Sequence, residues 1–372
     1  MEQLSGYKAG ALNYALARTD PVASVIGVLD SDYSVKPHWL KRTVPYFNRE
    51  QTAIVQAPQE HHDEEAKFKQ MCNREYCGFF YLGMVHRNER NAIITHGTMV
   101  LLRRTALVEA GGWAEWCICE DAELGLRLLE RGHEAVYVPE TLGLGVLPAD
   151  FAAYKSQRSR WAYGAVRIMC GHARALFLGG TRLTFMQRLH FITGWLPWFG
   201  DALHLLFTIA MAAWSLGMLL RPENFPAPAT VLLLPVLLVN GFLLLRTWTL
   251  YSARVPCGVT DRLAAMKAGM ALVPTVGASI LYGLISSKRP FLRTCKIQSA
   301  HSLYNALKPV IMELFLFLLL LTLLIAMLAV SPHAGTGFWL WCLLLALHST
   351  PYLAAVGMSY LSQSEKKHVF TS

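Results

Sequence analysis

Charge is scarce in this sequence, and acidic charge is nearly confined to its first half. Only 16% of the 372 residues are Asp, Glu, Lys or Arg, against 53% hydrophobic, too apolar for the two soluble domains that length alone would suggest. Of the 25 acidic residues, 20 precede Phe191, and beyond it mixed sequence gives way to long apolar runs. This distribution implies a soluble part followed by a membrane part, with the change near residue 190. Other absences exclude further classes. Met1 to Gly6 lacks the basic-then-apolar order of a signal peptide. The net charge of +9 gathers in no basic stripe with interleaved aromatics, which argues against nucleic acid as a partner and for a membrane surface. The close cysteine pairs Cys72/Cys77 and Cys117/Cys119, among 8 cysteines, lack the doubled two-residue spacing of a zinc site. Reduced, mostly buried thiols in a part of the chain facing the cytoplasm are expected instead. His61-His62-Asp63-Glu64-Glu65 reads as a solvated loop rather than a metal cluster, and there is no internal repeat or low-complexity tract.

What is present in the first half alternates between helical and β-rich segments. A helix is expected over Tyr7 to Arg18, then a short apolar run, Ser24 to Leu29, suited to a buried parallel strand. Further strands are expected at Thr52 to Gln56 and at Ala92 to Arg103, the last interrupted by His96-Gly97-Thr98, with helices over Lys36 to Phe47 and Glu64 to Arg87. The alternation argues for an α/β sheet.

Three polar signals stand out against this frame. Asp30 and Asp32 lie two apart at the carboxyl end of a predicted strand, where open α/β sheets bind ligands. Two carboxylates there suit Mg²⁺ or Mn²⁺, hard cations that take oxygen ligands and bridge to phosphates; an ordinary turn after a strand is the plainer reading. Glu120-Asp121 opens a helix marked by Leu124, Leu128 and Leu129 at helical spacing and by Gly132 after its last turn. Carboxylates there also simply complement the helix dipole. Gln157-Arg158-Ser159-Arg160-Trp161 falls inside a helix expected from about Asp150 to Leu178, with Gln157, Arg160, Trp161 and Gly164 on one face. An indole packs on sugar rings, an amide bonds hydroxyls and a guanidinium grips phosphate, although Trp and Arg also mark helices lying flat on membranes.

Taken in order, Lys8-Ala9-Gly10-Ala11-Leu12-Asn13, Asp30-Ser31-Asp32, His96-Gly97-Thr98, Glu120-Asp121 and Gln157-Arg158-Ser159-Arg160-Trp161 resemble the motifs of membrane-embedded, processive family 2 glycosyltransferases such as cellulose synthase. Gln56-Ala57-Pro58-Gln59, Phe79-Phe80, the run from His86 to Asn91 and the stretch from Trp113 to Asp121 look closer to bacterial β-1,3-glucan and cyclic glucan synthases. The resemblance implies a GT-A (Rossmann-like) domain in which Asp30 and Asp32 hold the metal and the donor diphosphate. It makes Asp121 the catalytic base. It places Lys8 and Arg160 at the donor, and His96, Gly97, Thr98, Glu120, Gln157 and Trp161 at the acceptor. Phe291-Leu292-Arg293-Thr294-Cys295-Lys296 looks like the family's gating loop, with Phe291, Thr294 and Lys296 matching and Arg293 in place of a small apolar residue. The implied donor is UDP-glucose, the acceptor a β-glucan, the cofactor Mg²⁺ or Mn²⁺, and the location a bacterial inner membrane with the catalytic domain in the cytoplasm. A non-processive enzyme acting on a lipid-linked acceptor is the alternative. Family members carry further strands before the Lys-Ala-Gly segment, including a uracil-binding aspartate. The resemblance therefore makes this GT-A domain partial, and a longer synthase or an accessory protein is expected to complete the donor site.

Domains are accordingly expected at 1–149 (GT-A), 150–190 (interfacial helices) and 191–372 (membrane, with a cytoplasmic loop over 252–307). About four spans fit: Trp195 to Leu220, Ala229 to Tyr251, Lys308 to Val330 and Gly337 to Tyr360. Met266 to Ile285 is expected to be interfacial. Four spans place the seven Lys and Arg of 252–307 on the catalytic side. Arg246 and Glu313 are expected to snorkel. Asp201 is deeper, and either borders a hydrated path for a sugar chain or pairs with His204.

Overall fold

The computed structural model describes residues 6–62, 65–255, 257–287, 302–330 and 335–365. Its first part runs α1 (Tyr7–Leu16), β1 (Val25–Val28), β2 (Ser34–Val35), α2 (Trp39–Thr43), β3 (Thr52–Gln56), β4 (Glu60–His61), α3 (Lys67–Cys77), α4 (Met84–Asn88), β5 (Val100–Arg103), α5 (Arg104–Glu109), α6 (Glu120–Glu130), β6 (Glu134–Tyr137), β7 (Gly143–Gly145) and α7 (Phe151–Gly171). The long helices α8 (Phe185–Leu220), α9 (Thr230–Arg254) and α10 (Val259–Ile285) follow, then the short α11 (Leu303–Leu307), α12 (Ile311–Val330) and α13 (Thr336–Ser364).

The expected α/β layer is present, but its main sheet is mixed. The order is β1-β5-β3-β6, with β5 antiparallel to both β1 and β3, and β6 parallel to β3. β1 is therefore an edge strand, not a buried parallel one, and only Val28 of its four residues is buried. The chain reaches β5 after a long excursion, travels opposite to its neighbours and wedges between them. The strand expected over Ala92 to Arg103 is reduced to its last four residues, because Met99 takes a φ of 54° just before Val100 and breaks the extended run. Side chains alternate across the sheet as the pleat requires: Ile54, Val100 and Leu102 pack on one face with α6, while Val55 and Leu101 pack on the other with Trp39 and Phe47. β2, β7 and β4 form a smaller mixed sheet.

The helices differ from expectation at identifiable residues. The one expected over Lys36 to Phe47 is α2 followed by a 3₁₀ segment, Val44–Asn48, in which Pro45 has no N–H to continue an α-helix. The one expected over Glu64 to Arg87 is α3 and α4 joined by a π-helical turn, Gly78–Gly83. By contrast α6 begins at Glu120 as expected and reverses at Gly132, whose φ of +88° suits glycine. Leu124, Leu126, Leu128 and Leu129 are at most 1% exposed, each burial stabilising the fold by roughly 1.5–3 kcal/mol. α7 starts where Asp150 Oδ1 accepts from the Ala153 N–H at 3.0 Å. Thr184 and Gln187 form a capping box at the start of α8.

Among the described residues, five helices, one more than the four expected spans, are long and apolar enough to cross a membrane: Phe185–Leu220, Thr230–Arg254, Val259–Ile285, Leu303–Val330 and Thr336–Ser364. They mark the chain as a membrane protein. The addition is α10, which also packs on α3 and α7 of the first part, so that Phe68, Tyr76, Tyr154 and Ala162 share one core with Ala268, Leu272, Ala355 and Met358. Glu313 does not snorkel; it is 5% exposed, and Lys155 on α7 pairs with it at 2.5 Å. His204 stacks on His348 with ring centroids 3.6 Å apart.

Where α8 and α10 meet, Gly277 leaves no room for a side chain, because a Cβ there would collide with the Asp201 carbonyl oxygen and lie 3.2 Å from Ala202 Cα. Backbone cannot move aside as a flexible side chain can. Gly277→Ala should therefore destabilise the bundle by about 1–3 kcal/mol, seen as a lower midpoint of thermal unfolding in detergent. An unchanged midpoint would mean that the two helices do not approach at this residue.

Candidate active site

β1, β3 and β6 point the same way and β5 the opposite way, so the segments after β1 and β3 and the segment before β5 meet at one rim. In register, Val28 and Gln56 both lie opposite Val100. Gln56 is fully buried, and its amide fixes the rim: Oε1 accepts from the His96 N–H at 3.0 Å and Nε2 donates to the Thr98 carbonyl at 2.9 Å. Thr98 Oγ1 in turn accepts from the Asp30 N–H at 3.0 Å. Two sequence segments nearly 70 residues apart are thus locked together by a backbone N–H donating to a side-chain hydroxyl.

α1 brings Lys8 into this rim. Its ammonium donates to Asp30 Oδ1 at 2.7 Å and to the Gly97 carbonyl at 2.9 Å. Asn13, one turn further along α1, holds the stretch that leads into α6. It donates to the Trp113 carbonyl at 2.9 Å and accepts from the Trp113 N–H at 2.8 Å. α6 then delivers Glu120 and Asp121 in its first turn, with Asp121 Oδ1 accepting from the Ala122 N–H at 2.8 Å. A Cβ on Gly97 would lie 2.7 Å from Lys8 Nζ and 3.1 Å from Asp121 Oδ2. Only a bare backbone fits between the ammonium and this carboxylate.

Burial is the largest influence on the charges here. It raises the pKa of Glu120 and of Asp121 above their ordinary 4.5 and 3.8; Asp121 adds to the rise at Glu120 and Asp30 adds to it at both, while Lys8 opposes it. Burial works against the Lys8 ammonium too, but Asp30, Glu120 and Asp121 outweigh it and hold its pKa above 10.5. His96 is pushed down to about 3 by burial and is neutral, its ring edge-on to Phe79 and Phe80 at 5.2 Å each. Its Nε2 has no hydrogen-bond partner among the described residues.

The opposite wall is α7. Gln157 accepts a hydrogen bond from the Tyr76 hydroxyl. Arg158 points away from the rim, pairs with Glu75 and lies 4.7 Å over the Trp161 ring, bracing the indole from behind. Gly164, expected to share the face of Gln157, lies against the Cys119 side chain, which lines the same cavity.

Between these walls is a cavity of about 490 Å³, lined by Lys8, Asp30, Asp32, His96, Gly97, Glu120, Asp121, Gln157, Arg160 and Trp161. Ten site residues expected from the sequence thus share one space. Thr98 does not; it is 1% exposed and supports Asp30 from behind. Phe291, Arg293, Thr294 and Lys296 lie outside the described residues. The cavity also includes Tyr33, which the sequence did not single out, and His61, which it read as part of a solvated loop. His61 is not part of a solvated loop. It sits on β4, stacks on Tyr76 at 5.4 Å, and its Nδ1 lies 2.9 Å from Asn73 Oδ1. A two-residue strand has no periodicity to read, so the sequence could not tell this strand from a loop.

Against this geometry stand the similarities to known proteins. Residues 2–164 match the family model described as glycosyltransferase like family 2. The chain carries a family 2 glycosyltransferase domain. This domain is followed by several long apolar helices. The chain is similar to a UDP-forming cellulose synthase of Dictyostelium discoideum, in its catalytic polypeptide, 28% identical over 289 residues, covering 76% of this chain and 24% of that protein. It is also similar to the probable glucomannan 4-beta-mannosyltransferase 3 of Oryza sativa subsp. japonica, 31% identical over 170 residues, covering 44% of this chain and 30% of that one. It thus spans about a quarter to a third of the length of these relatives. Among solved structures, the mannosyltransferase of Pyrobaculum calidifontis in complex with GDP-Man and Mn²⁺ matches with 15% identity and a TM-score of 0.45, covering 74% of this chain and 66% of that one.

Divalent metal chemistry fits the donor set. No group of three or more His, Cys, Asp or Glu with metal-binding geometry occurs among the described residues. Asp30 and Asp32 nevertheless present hard carboxylate oxygens at the cavity wall, which suits a cation that completes its shell with water and substrate phosphate.

The Gly97 contact yields a direct test. Gly97→Ala should lower transferase turnover at least about 10²-fold, the cost of a misplacement near 1 Å, while the folded yield stays near that of the parent. Turnover within twofold of the parent would show that Lys8 and Asp121 do not need this close approach.

Proposed function

We propose that the protein transfers glucose from UDP-glucose, with inversion, to the growing end of a β-glucan, in β-1,3 linkage, and passes the product out through its membrane helices. The observation that carries this reading is the one cavity lined together by the carboxylate of Asp121, the cations Lys8 and Arg160, and the indole of Trp161. The Asp30/Asp32 pair suits Mg²⁺ or Mn²⁺; when bound, the cation supplies Lewis acidity and charge neutralisation at the leaving diphosphate. The likenesses to a cellulose synthase and to a glucomannan mannosyltransferase support a nucleotide sugar as donor and a polysaccharide as acceptor.

In this reading Trp161 packs against the acceptor ring, with Gln157 and His96 at its hydroxyls. Asp121 removes the proton from the attacking hydroxyl as that oxygen bonds to the anomeric carbon. The bond to diphosphate breaks on the far face, so an α-linked donor gives a β-glycosidic product. A raised Asp121 pKa makes the carboxylate a better proton acceptor than an exposed aspartate. Lys8 and Arg160 offset the charge that accumulates on the departing nucleotide. In this reading α10, which packs on α3 and α7 of the first part, lies at the membrane surface, and the seven Lys and Arg of 252–307 then support a cytoplasmic catalytic domain at a bacterial inner membrane, with domains at 1–149, 150–190 and 191–372.

Membranes from cells overproducing the protein, incubated with radiolabelled UDP-sugars, should yield polymer from UDP-glucose. A lipid-linked sugar would point to the non-processive alternative, and no incorporation would count against transfer altogether. Asp121→Asn should reduce incorporation by about 10²- to 10⁴-fold with donor binding nearly intact; more than half of parental activity would remove Asp121 as the base. Chelation by EDTA should stop incorporation, and Mg²⁺ or Mn²⁺ should restore it. Continued turnover after verified metal removal would leave Asp30 and Asp32 as turn residues.

A further inference from the structure

The two helices that supply opposite walls of the cavity are fastened to each other at both ends. Near the site, Cys119 just before α6 fills the space beside Gly164 of α7, and its thiol donates to the Arg160 carbonyl at 3.5 Å. At the far end the fastener is His172, the residue that caps the C-terminus of α7. Its Nε2 lies 3.1 Å from Glu123 Oε1 and its Nδ1 2.8 Å from Glu130 Oε1, both on α6. With a carboxylate at each ring nitrogen, both nitrogens are donors and the ring is an imidazolium. A cation is favoured at a helix C-terminus in any case.

The carboxylate nearer the site is held from a second direction. Glu123 is 2% exposed, and Arg127 binds it with two N–H groups, at 3.0 and 2.7 Å. Arg127 also donates to the carbonyls of Ala110 and Gly112, in the turn that opens the stretch leading to Asp121. A continuous path therefore runs from that turn through Arg127 and Glu123 to the end of α7. Trp116 covers it, with its ring centroid 6.4 Å from that of His172, and a Cβ on Gly171 would lie 2.9 Å from the indole.

We propose that His172 is a positioning residue: held as an imidazolium between Glu123 and Glu130, it fixes how far α7 slides along α6, and thereby the placement of Trp161 and Arg160 relative to Asp121. This role rests on the glycosyl transfer proposed above. The charged groups facing the ring are Glu123 and Glu130 on α6, with Arg127 behind Glu123. Burial lowers the pKa of His172, but the hydrogen bonds and charges of the two carboxylates outweigh it and raise it from 6.5 to about 9. The sign follows: the clamp is fully present below the ordinary 6.5 and is lost as pH rises through about 9.

Two readouts separate the clamp from the function. Protonated imidazole quenches indole emission, so the part of the tryptophan emission that Trp116→Phe removes should rise as pH passes about 9 in the parent protein, and should not titrate there in His172→Gln. In the sugar-transfer assay, His172→Gln should lower kcat about tenfold or more with donor KM nearly unchanged. His172→Arg, which keeps the charge and can serve both carboxylates, should restore kcat and abolish the loss of activity near pH 9. Should His172→Gln not fold, Glu130→Gln removes the more exposed carboxylate and should give the same kcat defect. Parental kcat in the foldable variant overturns the positioning role, and emission that does not titrate near pH 9 overturns the clamp. A parent protein that transfers no sugar overturns the functional reading and the positioning role with it, while the emission titration still decides the clamp.

Discussion

A single ammonium group allows three carboxylates to share one partly buried cavity. Asp30 arrives from the end of β1, and Glu120 and Asp121 from the first turn of α6; Lys8 Nζ, brought by α1, is the cation that draws on all three. Desolvation disfavours each of these charges separately, and the like charges repel. The compensation is incomplete, since Glu120 and Asp121 still bind protons more readily than exposed carboxylates. That residual cost is useful to a general base, whose affinity for the proton is what drives the reaction. The surrounding scaffold serves to keep the ammonium in place: Gly97 accepts from it, Gln56 holds the loop containing Gly97, and Asn13 anchors α1 to the approach to α6.

Much of this was readable in the sequence because the site uses local devices. Asp30 and Asp32 follow a strand, Glu120 and Asp121 open a helix, and Gln157, Arg160 and Trp161 share a helical face. Each pattern depends on neighbours within a few residues. The rest depends on distant ones. Nothing in Val100–Arg103 itself says that this strand runs against its neighbours, yet that direction brings His96 and Gly97 to the carboxyl ends of β1 and β3. Thr98 faces the Asp30 backbone rather than the cavity for the same reason. Arg158 was a motif residue without a role until Glu75, over 80 positions away, turned it behind Trp161. Glu313 was given to the aqueous boundary because its partner, Lys155, is 158 residues distant.

α7 belongs to both halves of the molecule. One face carries Gln157, Arg160 and Trp161 into the cavity. The other is joined to the long helices by Lys155 with Glu313, by Ser159 with Ser279 at 2.5 Å, and by the Tyr163 hydroxyl donating to the Ser286 carbonyl at 3.1 Å. A cavity wall built this way cannot shift without disturbing α10 and α12. Under the proposed export of product along those helices, the binding surface and the exit path would share one rigid reference.

The π-helical turn at Gly78–Gly83 carries a further consequence. Such a turn holds one residue more than an α-helix has room for, and each residue of an α-helix advances about 100° around the axis. Here the widening lets Phe79 and Phe80 both reach the ring of His96, while Met84 and Arg87 beyond it remain buried. Helical phase is thus reset inside the segment, and a periodicity carried straight through it assigns the wrong faces to everything downstream. A chain that lost one residue in this turn would keep a helix of nearly the same length and composition. It would rotate Met84 and Arg87 out of the core, and with them the aromatic support of the cavity.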